Sequence, residues 1–289
     1  MTGPNQCLCG YNGTDWQAVR LPTFGPRRLF GCPSCGLFRL HPFPIEEEDV
    51  ALLYQNERYL EKITHAEYFG YYKVFEEHLR LRMGMSKDAS ILDFGAGRCH
   101  YQAFFLKDGY RDVHSVEINP HLVRFAREEL ALDHVYLSAE RLREARYDVV
   151  VSSQVFEHLI DPLRTLENDI LPALVSGGLV CFAVPNWDAL SRHVLRGRWP
   201  GYSAEDHIWF FSPRSVARIF FGRRAFDLLD VRVIASVGKP YDGFRPTGVC
   251  KRLYYRTASR LFERIGRGDQ LVVTLRKTDL TSAISRAGR

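Results

Sequence analysis

Residues 90–100 read SILDFGAGRCH, and residues 112–120 read DVHSVEINP. ILDF has the length and apolar character of a buried strand; it runs into a turn with glycines at 95 and 97, and HYQAFFLKDGY beyond it reads as a helix stopped at Gly109. The pattern then repeats. VHSVEI is a second strand, and NPHLVRFAREEL a second helix with Asn119 as its N-cap and Pro120 at its first position. A strand, a glycine turn and a helix in that order bring a ligand against the free backbone amides of a helix start.

Working outward, HVYLSA, YDVVVSSQVF and GGLVCFAVPN read as strands, and DPLRTLENDILPALV as a helix capped by Asp161. SPRSVARIFFGRR is a helix with Ser212 as cap and Pro213 in its first turn. LLDVRVIAS and QLVVTLRKT follow as late strands, forming an antiparallel edge. Upstream, 47–83 is mostly helical, with Tyr68, Tyr71, Tyr72 and Phe75 at helical spacings. Alternating strands and helices predict an α/β fold with a doubly wound, mostly parallel sheet covered on both faces. HPFPIEEEDV reads as a hinge, dividing the chain into a small module over 1–45 and a main domain over 46–289. Within the latter, 186–211 is rich in aromatics and reads as a lid insert, and 240–268 as a basic helical insert.

The 289 residues are 46% hydrophobic and 25% charged, which excludes disordered, collagenous and coiled-coil classes. No apolar run reaches the roughly 18 residues of a membrane span, and the first residues lack the pattern of an export signal, so a cytoplasmic location is expected. Charge is unevenly distributed. Residues 1–210 hold 22 basic against 28 acidic side chains, whereas 211–289 hold 17 against 6. In 251–267, Arg252, Arg256, Arg260 and Arg264 fall on one helical stripe, and Tyr254, Ala258, Leu261, Phe262 and Ile265 on another that would pack on the body. Such a helix suits a phosphate-bearing small-molecule acceptor or peripheral contact with anionic lipid, with nucleic acid the less favoured partner.

Of seven cysteines, four lie near the start as C-x-C and C-x2-C: Cys7, Cys9, Cys32 and Cys35. Two close pairs on turns can supply four thiolates to one tetrahedral zinc, and four sulfurs leave no open position, so the expected site is structural. Pro33 and Gly36 suit the tight turn of the second pair. The first pair is one residue shorter than the usual spacing.

The glycine turn lacks the third glycine of a dinucleotide fingerprint, because His100 stands there. Asp93, two residues before Gly95, would repel a pyrophosphate and welcome a cationic amine such as that of S-adenosylmethionine. Glu117, at the second strand's end, can accept both ribose hydroxyls through its two oxygens.

With ILDFGAG, SVEINP, YDVVVSSQVFEHLIDP and GGLVCFAVPN in this order, residues 65–240 resemble the class I S-adenosylmethionine-dependent methyltransferases. CPSCG ahead of an acidic, proline-bearing stretch, and HIWFFSPRSV before a late helix, are similar to a bacterial subgroup with a zinc-ribbon-like front module. The resemblance implies a Rossmann-like methyltransferase fold. It also implies that Asp93, Gly95 and Gly97 surround the methionine part of the cofactor, Glu117 holds the ribose, Ile118 lies against adenine, and Gln154 lines the site. Cys99 departs from the family, which usually has a third glycine there; on the reading that only a small side chain is demanded, cysteine is tolerated.

A hydroxyl acceptor needs a base, and two histidines are candidates for this catalytic role: His158, after the fourth strand at the sheet's carboxyl edge, and His207, in the lid beside Asp206. Trp199, Tyr202, Trp209 and Phe210 read as lid core. The resulting expectation is O-methylation of a small hydroxylated acceptor, such as a sugar of a surface polysaccharide pathway. The alternatives are an RNA methyltransferase using the zinc module and the arginine stripe, and a non-catalytic scaffold on a cofactor fold.

Overall fold

The computed structural model describes residues 6–20, 27–42, 65–138, 146–196, 199, 201–202, 206–235 and 259–278. The front module contributes β1 (Gln17–Val19), β2 (Arg28–Gly31) and β3 (Phe38–His41), an antiparallel meander. The main body opens with α1 (His65–Arg82), which covers the sheet through Tyr72, Phe75 and Leu79. The helical reading of 47–64, including the hinge near 45, lies outside the described residues.

The body then alternates as expected: β4 (Ile91–Phe94), α2 (His100–Lys107), β5 (Val113–Val116), α3 (Pro120–Glu128), β6 (Val135–Tyr136) and β7 (Tyr147–Ser153). A helix of two short segments, α4 (Pro162–Thr165) and α5 (Leu171–Ala173), is joined through the wider turn Leu166–Ile170 and leads into β8 (Leu174–Pro185). After α6 (Leu190–Leu195), β9 (Trp209–Phe210) and α7 (Pro213–Phe220) come β10 (Phe226–Ile234), α8 (Ser259–Arg264) and β11 (Gln270–Lys277).

The main sheet has the order β10-β11-β8-β7-β4-β5-β6, with β11 antiparallel to both neighbours and β4 to β8 parallel. This is the mostly parallel Rossmann-like methyltransferase fold. The chain runs from β4 out to β6 and returns to build β7 and β8 on the other side, so the order reverses between β4 and β7. Ligands of open α/β sheets bind outside the strands' carboxyl ends at such a reversal.

Local chemistry explains the helix starts. Asn119 accepts from the amides of His121 and Leu122, Asp161 from those of Leu163 and Arg164, and Ser212 and Ser215 bond reciprocally. Each cap is worth about 1 kcal/mol. Elsewhere the structure differs from the reading. β7 stops at Ser153 because Gln154 takes a left-handed backbone (φ 58°) that breaks the strand. Of the basic insert, α8 is described, and Leu261 and Ile265 remain more than half exposed instead of packing on the body. Arg260 and Arg264 of the arginine stripe fall within α8, as does Phe262; Arg252, Arg256, Tyr254 and Ala258 lie outside the described residues. Among the described residues no helix is long and apolar enough to cross a membrane.

The front module is continuous with the body. β3 pairs antiparallel with β9, placing Phe38 opposite Phe210 and Arg39 opposite Trp209, and the Leu40 amide donates to the Ile208 carbonyl at 2.9 Å. Cys7, Trp16, Phe30, Cys32 and Leu37 share one apolar core with Phe156, Phe182, Val216 and Phe220. Trp199, Trp209 and Phe210 are buried, as the core reading of the lid aromatics has it. Leu29 and Leu40 share a second such core with Trp187, Trp199 and Phe210, so Leu40→Ala (0% exposed in the native chain) should cost about 2–4 kcal/mol and lower the stability of module and body together. Urea unfolding followed by tryptophan emission and by cysteine labelling should give coincident transitions; separated transitions would refute a shared core.

Candidate functional site

Two adjacent parallel strands, β4 and β5, each end in a buried carboxylate. Asp93 is 3% exposed at the tip of β4, and burial, then the neighbouring charge of Glu117, push its acid up to about 8. Burial also raises Glu117, opposed by hydrogen bonds from backbone amides. Its two oxygens are divided: Gly97 N–H donates to Oε2 at 2.6 Å and Asn119 N–H to Oε1 at 2.8 Å. Each oxygen keeps a further lone pair. Ionisation of Asp93 would set a second negative charge beside Glu117.

The glycine turn between them is shaped by backbone demands. Gly95 has φ 71°, and a Cβ there would sit 2.5 Å from Val155, so the turn after β7 packs directly on it. Gly97 has φ 55°. Cys99 also adopts the left-handed region (φ 54°) while fully buried against Val123, Ala126 and Val135. The expectation that only small size matters at 99 is thus corrected. A positive φ is demanded there, and a cysteine in it carries about 1–2 kcal/mol of strain that glycine would not. Ile118, beside Glu117, presents an apolar surface that is 44% exposed.

Gln154 lies at the same carboxyl edge, but its amide is held sideways, donating to Gln270 Oε1 at 2.8 Å and to the Ala183 carbonyl at 3.3 Å. His158 and His207 come together from distant parts of the chain, ring centroids 4.6 Å apart and nearly perpendicular. His158 Nδ1 donates to the Asp206 carbonyl at 3.0 Å, and His207 Nδ1 to the Gly201 carbonyl at 3.1 Å. Burial, then His158, pull the His207 acid down to about 3, so its ring is neutral. The sequence reading passed over Glu157. It is fully buried, its carboxylate within 4.0 Å of His158 Nε2, and the visible signal was its place in a Glu-His pair just past a strand end.

A second cluster lies in the front module. Cys7 Sγ and Cys35 Sγ are 3.6 Å apart, Cys9 Sγ and Cys32 Sγ 3.7 Å, and all four sulfurs lie within 4.8 Å of one another. Both turns close alike. Gly10 and Gly36 take positive φ directly after Cys9 and Cys35, while Cys7 N–H bonds Tyr11 and Cys32 N–H bonds Leu37. The missing residue of the first pair thus shortens the loop without changing its closure. Leu37 N–H points at Cys35 Sγ (3.4 Å). A hydrogen bond from Cys7 holds Cys35 down to about 6, while burial pushes Cys32 up to about 11. Arginines from the body tie down both turns: Arg223 donates to the Leu8 carbonyl and Arg214 to that of Ser34.

A model described as "Methyltransferase domain" matches residues 65–230. No curated protein matches the chain. Among solved structures, the chain is similar to the 1,6-didemethyltoxoflavin-N1-methyltransferase of Burkholderia thailandensis, at 20% identity over 91% of this chain and 100% of that one, with a TM-score of 0.51. It is also similar to an S-adenosylmethionine-dependent methyltransferase from Anabaena variabilis, at 13% identity over 81% and 96%, with a TM-score of 0.54. At these identities the likeness is one of fold.

Asp93 makes a prediction on stability. The folded chain keeps its proton up to about pH 8, while the unfolded chain releases it near pH 4, so this group lowers stability as pH rises between those values. Asp93→Asn should therefore match the native chain near pH 4 and exceed it by at least about 1 kcal/mol at pH 8. Urea midpoints across that window check the sign, and equal midpoints at pH 8 would contradict it.

Proposed function

The chain belongs to the methyltransferase-domain family on the match over residues 65–230, and from that premise we propose that it moves the methyl group of S-adenosylmethionine to an oxygen of a small hydroxylated acceptor, such as a sugar of a surface polysaccharide pathway. The observation that carries the cofactor reading is the pair of buried carboxylates on neighbouring strand tips, a place hostile to a pyrophosphate and suited to a cation. Asp93 would face the ammonium of the methionine part, with Gly95 and Gly97 letting the backbone approach. Glu117 would accept the ribose hydroxyls on the lone pairs left by its two amide donors, Ile118 would cover adenine, and Gln154 would close the edge towards β11.

When bound, S-adenosylmethionine supplies an electrophilic methyl on a sulfonium, and positioning of the acceptor in line supplies most of the rate. His158 and His207 serve the acceptor in this proposal. Their Nδ1 atoms donate to backbone carbonyls, which leaves Nε2 as the lone-pair nitrogen of each ring. The surplus of basic side chains in 211–289 favours an acceptor carried on a phosphate, in nucleotide- or lipid-linked form.

We also propose a structural zinc on Cys7, Cys9, Cys32 and Cys35. Zinc–sulfur bonds of about 2.3 Å give a tetrahedron with edges of about 3.8 Å, close to the separations of both short sulfur pairs. The Leu37 amide aimed at Cys35 is the kind of partner that orients a thiolate ligand. The site would fasten the front module and take no part in the chemistry. The module boundary near 45 and the lid over 186–211 belong to the same proposal.

Calorimetry should show S-adenosylmethionine binding that weakens about 100-fold in Asp93→Ala, the loss of one buried charge partner. Affinity should climb with pH up to about 8, with proton release at pH 7, because the ammonium requires Asp93 ionised. An absence of binding by the native chain would leave the scaffold reading. In a cell extract given labelled S-adenosylmethionine, label in small-molecule or lipid fractions supports the acceptor proposed; label in RNA, falling steeply with salt, replaces it.

Zinc content of the purified chain, with Cys35→Ser as the comparison, tests the thiolate site. Loss of about one ion per chain in the variant is expected.

A further inference from the structure

Glu157 is the least satisfied polar group in the core. It is 0% exposed, and among the described residues no other residue is in hydrogen-bond geometry with either carboxylate oxygen. A neutral, protonated Glu157 would not remove the difficulty. Its proton would need an acceptor, and His158 Nε2, at 4.0 Å from Oε1, is beyond hydrogen-bond reach. Beside this carboxylate stand the imidazoles of His158 and His207, ring centroids 4.6 Å apart. Each ring has its Nδ1–H committed to a backbone carbonyl, of Asp206 and Gly201 respectively. That second bond is the usual way a protein fixes the tautomer and orientation of a metal-binding imidazole.

We propose that Glu157, His158 and His207 form a second metal site, distinct from the four cysteines, that takes a divalent ion of the zinc class through one carboxylate and two imidazoles. One ligand atom from each lies within 4.8 Å of those of the others. Bonds of about 2.1 Å would place ligand atoms about 3.4 Å apart in a tetrahedron, so binding draws the three groups inward. Two histidines and a glutamate leave the fourth position open, unlike the closed cysteine site. The ion also removes the anomaly of Glu157 by neutralising a carboxylate that the core otherwise leaves bare. Burial suits the histidines to this role, since it keeps the His207 ring neutral.

Its location gives the open position a use. Val155, two residues before Glu157, packs on Gly95 of the cofactor turn, so one short segment carries both Glu157 and a wall residue of the methyl donor's proposed place. An acceptor hydroxyl occupying the fourth position would have its acidity raised by the ion. This consequence rests on the methyl-transfer reading; the binding of the ion does not.

The test uses the full chain, loaded with zinc or cobalt(II) and freed of loosely held metal, and compares the native sequence with Glu157→Gln and His207→Gln. Elemental analysis should show about one equivalent fewer in each variant than in the native chain, and added cobalt(II) should produce a nitrogen- and oxygen-ligated spectrum that Glu157→Gln abolishes. The cysteine site contributes equally to all three, so its failure would lower every total and leave the difference intact. Failure of the methyl-transfer reading would likewise leave it intact. Equal metal content and equal cobalt spectra in native chain and Glu157→Gln would overturn the proposal. Glu157→Gln keeps volume and removes a buried charge, so the folded variant can be compared by circular dichroism, and a rise in native Tm on adding zinc that the variant lacks is a second expected readout.

Discussion

Burial of two carboxylates at neighbouring strand tips organises the site end of this fold. Asp93 and Glu117 stand at the tips of strands paired directly in the sheet, Asp93 opposite Ser115 and Phe94 opposite Val116, so their separation is set by the β4–β5 register. Neither can retreat to solvent. The cost is visible in the raised pKa of Asp93, which burial and then Glu117 push upward, and it is offset in part by the two amides that Gly97 and Asn119 direct at Glu117. Those amides exist where they do because the glycine turn and the Asn119 cap turn the chain sharply after each strand. The backbone strain at Cys99 belongs to the same turn: left-handed geometry there lets α2 begin directly behind it.

The front module is best understood as part of the wall on the far side of that sheet. Its third strand borrows β9 as a partner, and its sulfur-bearing turns are gripped by Arg214 and Arg223 from α7 and just beyond it. Arg39 adds a buried cation over the Trp209 ring, at 4.9 Å from its centroid. The strand that completes the module's sheet begins two residues after His207. Any constraint on the module therefore reaches the histidine pair through three consecutive residues of one short strand and its approach.

Sequence order made the parallel sheet legible, because each strand is a short apolar run and each helix start has a chemical cap: Asn119, Asp161 and Ser212 all cap as their side chains suggest. The residues proposed for the cofactor side could be picked out for the same reason, since Asp93 and Glu117 lie at the ends of apolar strands. Two kinds of feature were not. The β3–β9 pairing joins segments about 170 residues apart through strands too short to carry a periodic signal. The stop of β7 at Ser153 depends on Gln154 adopting a backbone that glutamine rarely takes, and that is decided by packing against the glycine turn. Cys99 shows a third limit: the residue type records that glycine was replaced, while the reason glycine is favoured there is a torsion angle.

Glu157 belongs to the same lesson with chemistry attached. In the sequence it is one acid beside a histidine, and acids beside histidines are ordinary. Folding places it under β9, with its backbone carbonyl accepting from both Ile208 and Trp209, so the residue is pinned by the strand that carries His207 to it. A buried carboxylate can be tolerated if a donor, a proton or a metal meets it. Among the described residues no side-chain or backbone donor is in hydrogen-bond geometry with its oxygens, and a ring nitrogen of each of two imidazoles lies within 4.8 Å of its carboxylate. The cysteine cluster gathers four sulfurs in one apolar core, and in the zinc site proposed for it a closed tetrahedron would be enough to fasten two turns. The mixed set of nitrogen and oxygen atoms on Glu157, His158 and His207 differs in one consequential respect, since three ligands would leave a tetrahedral ion one position unfilled.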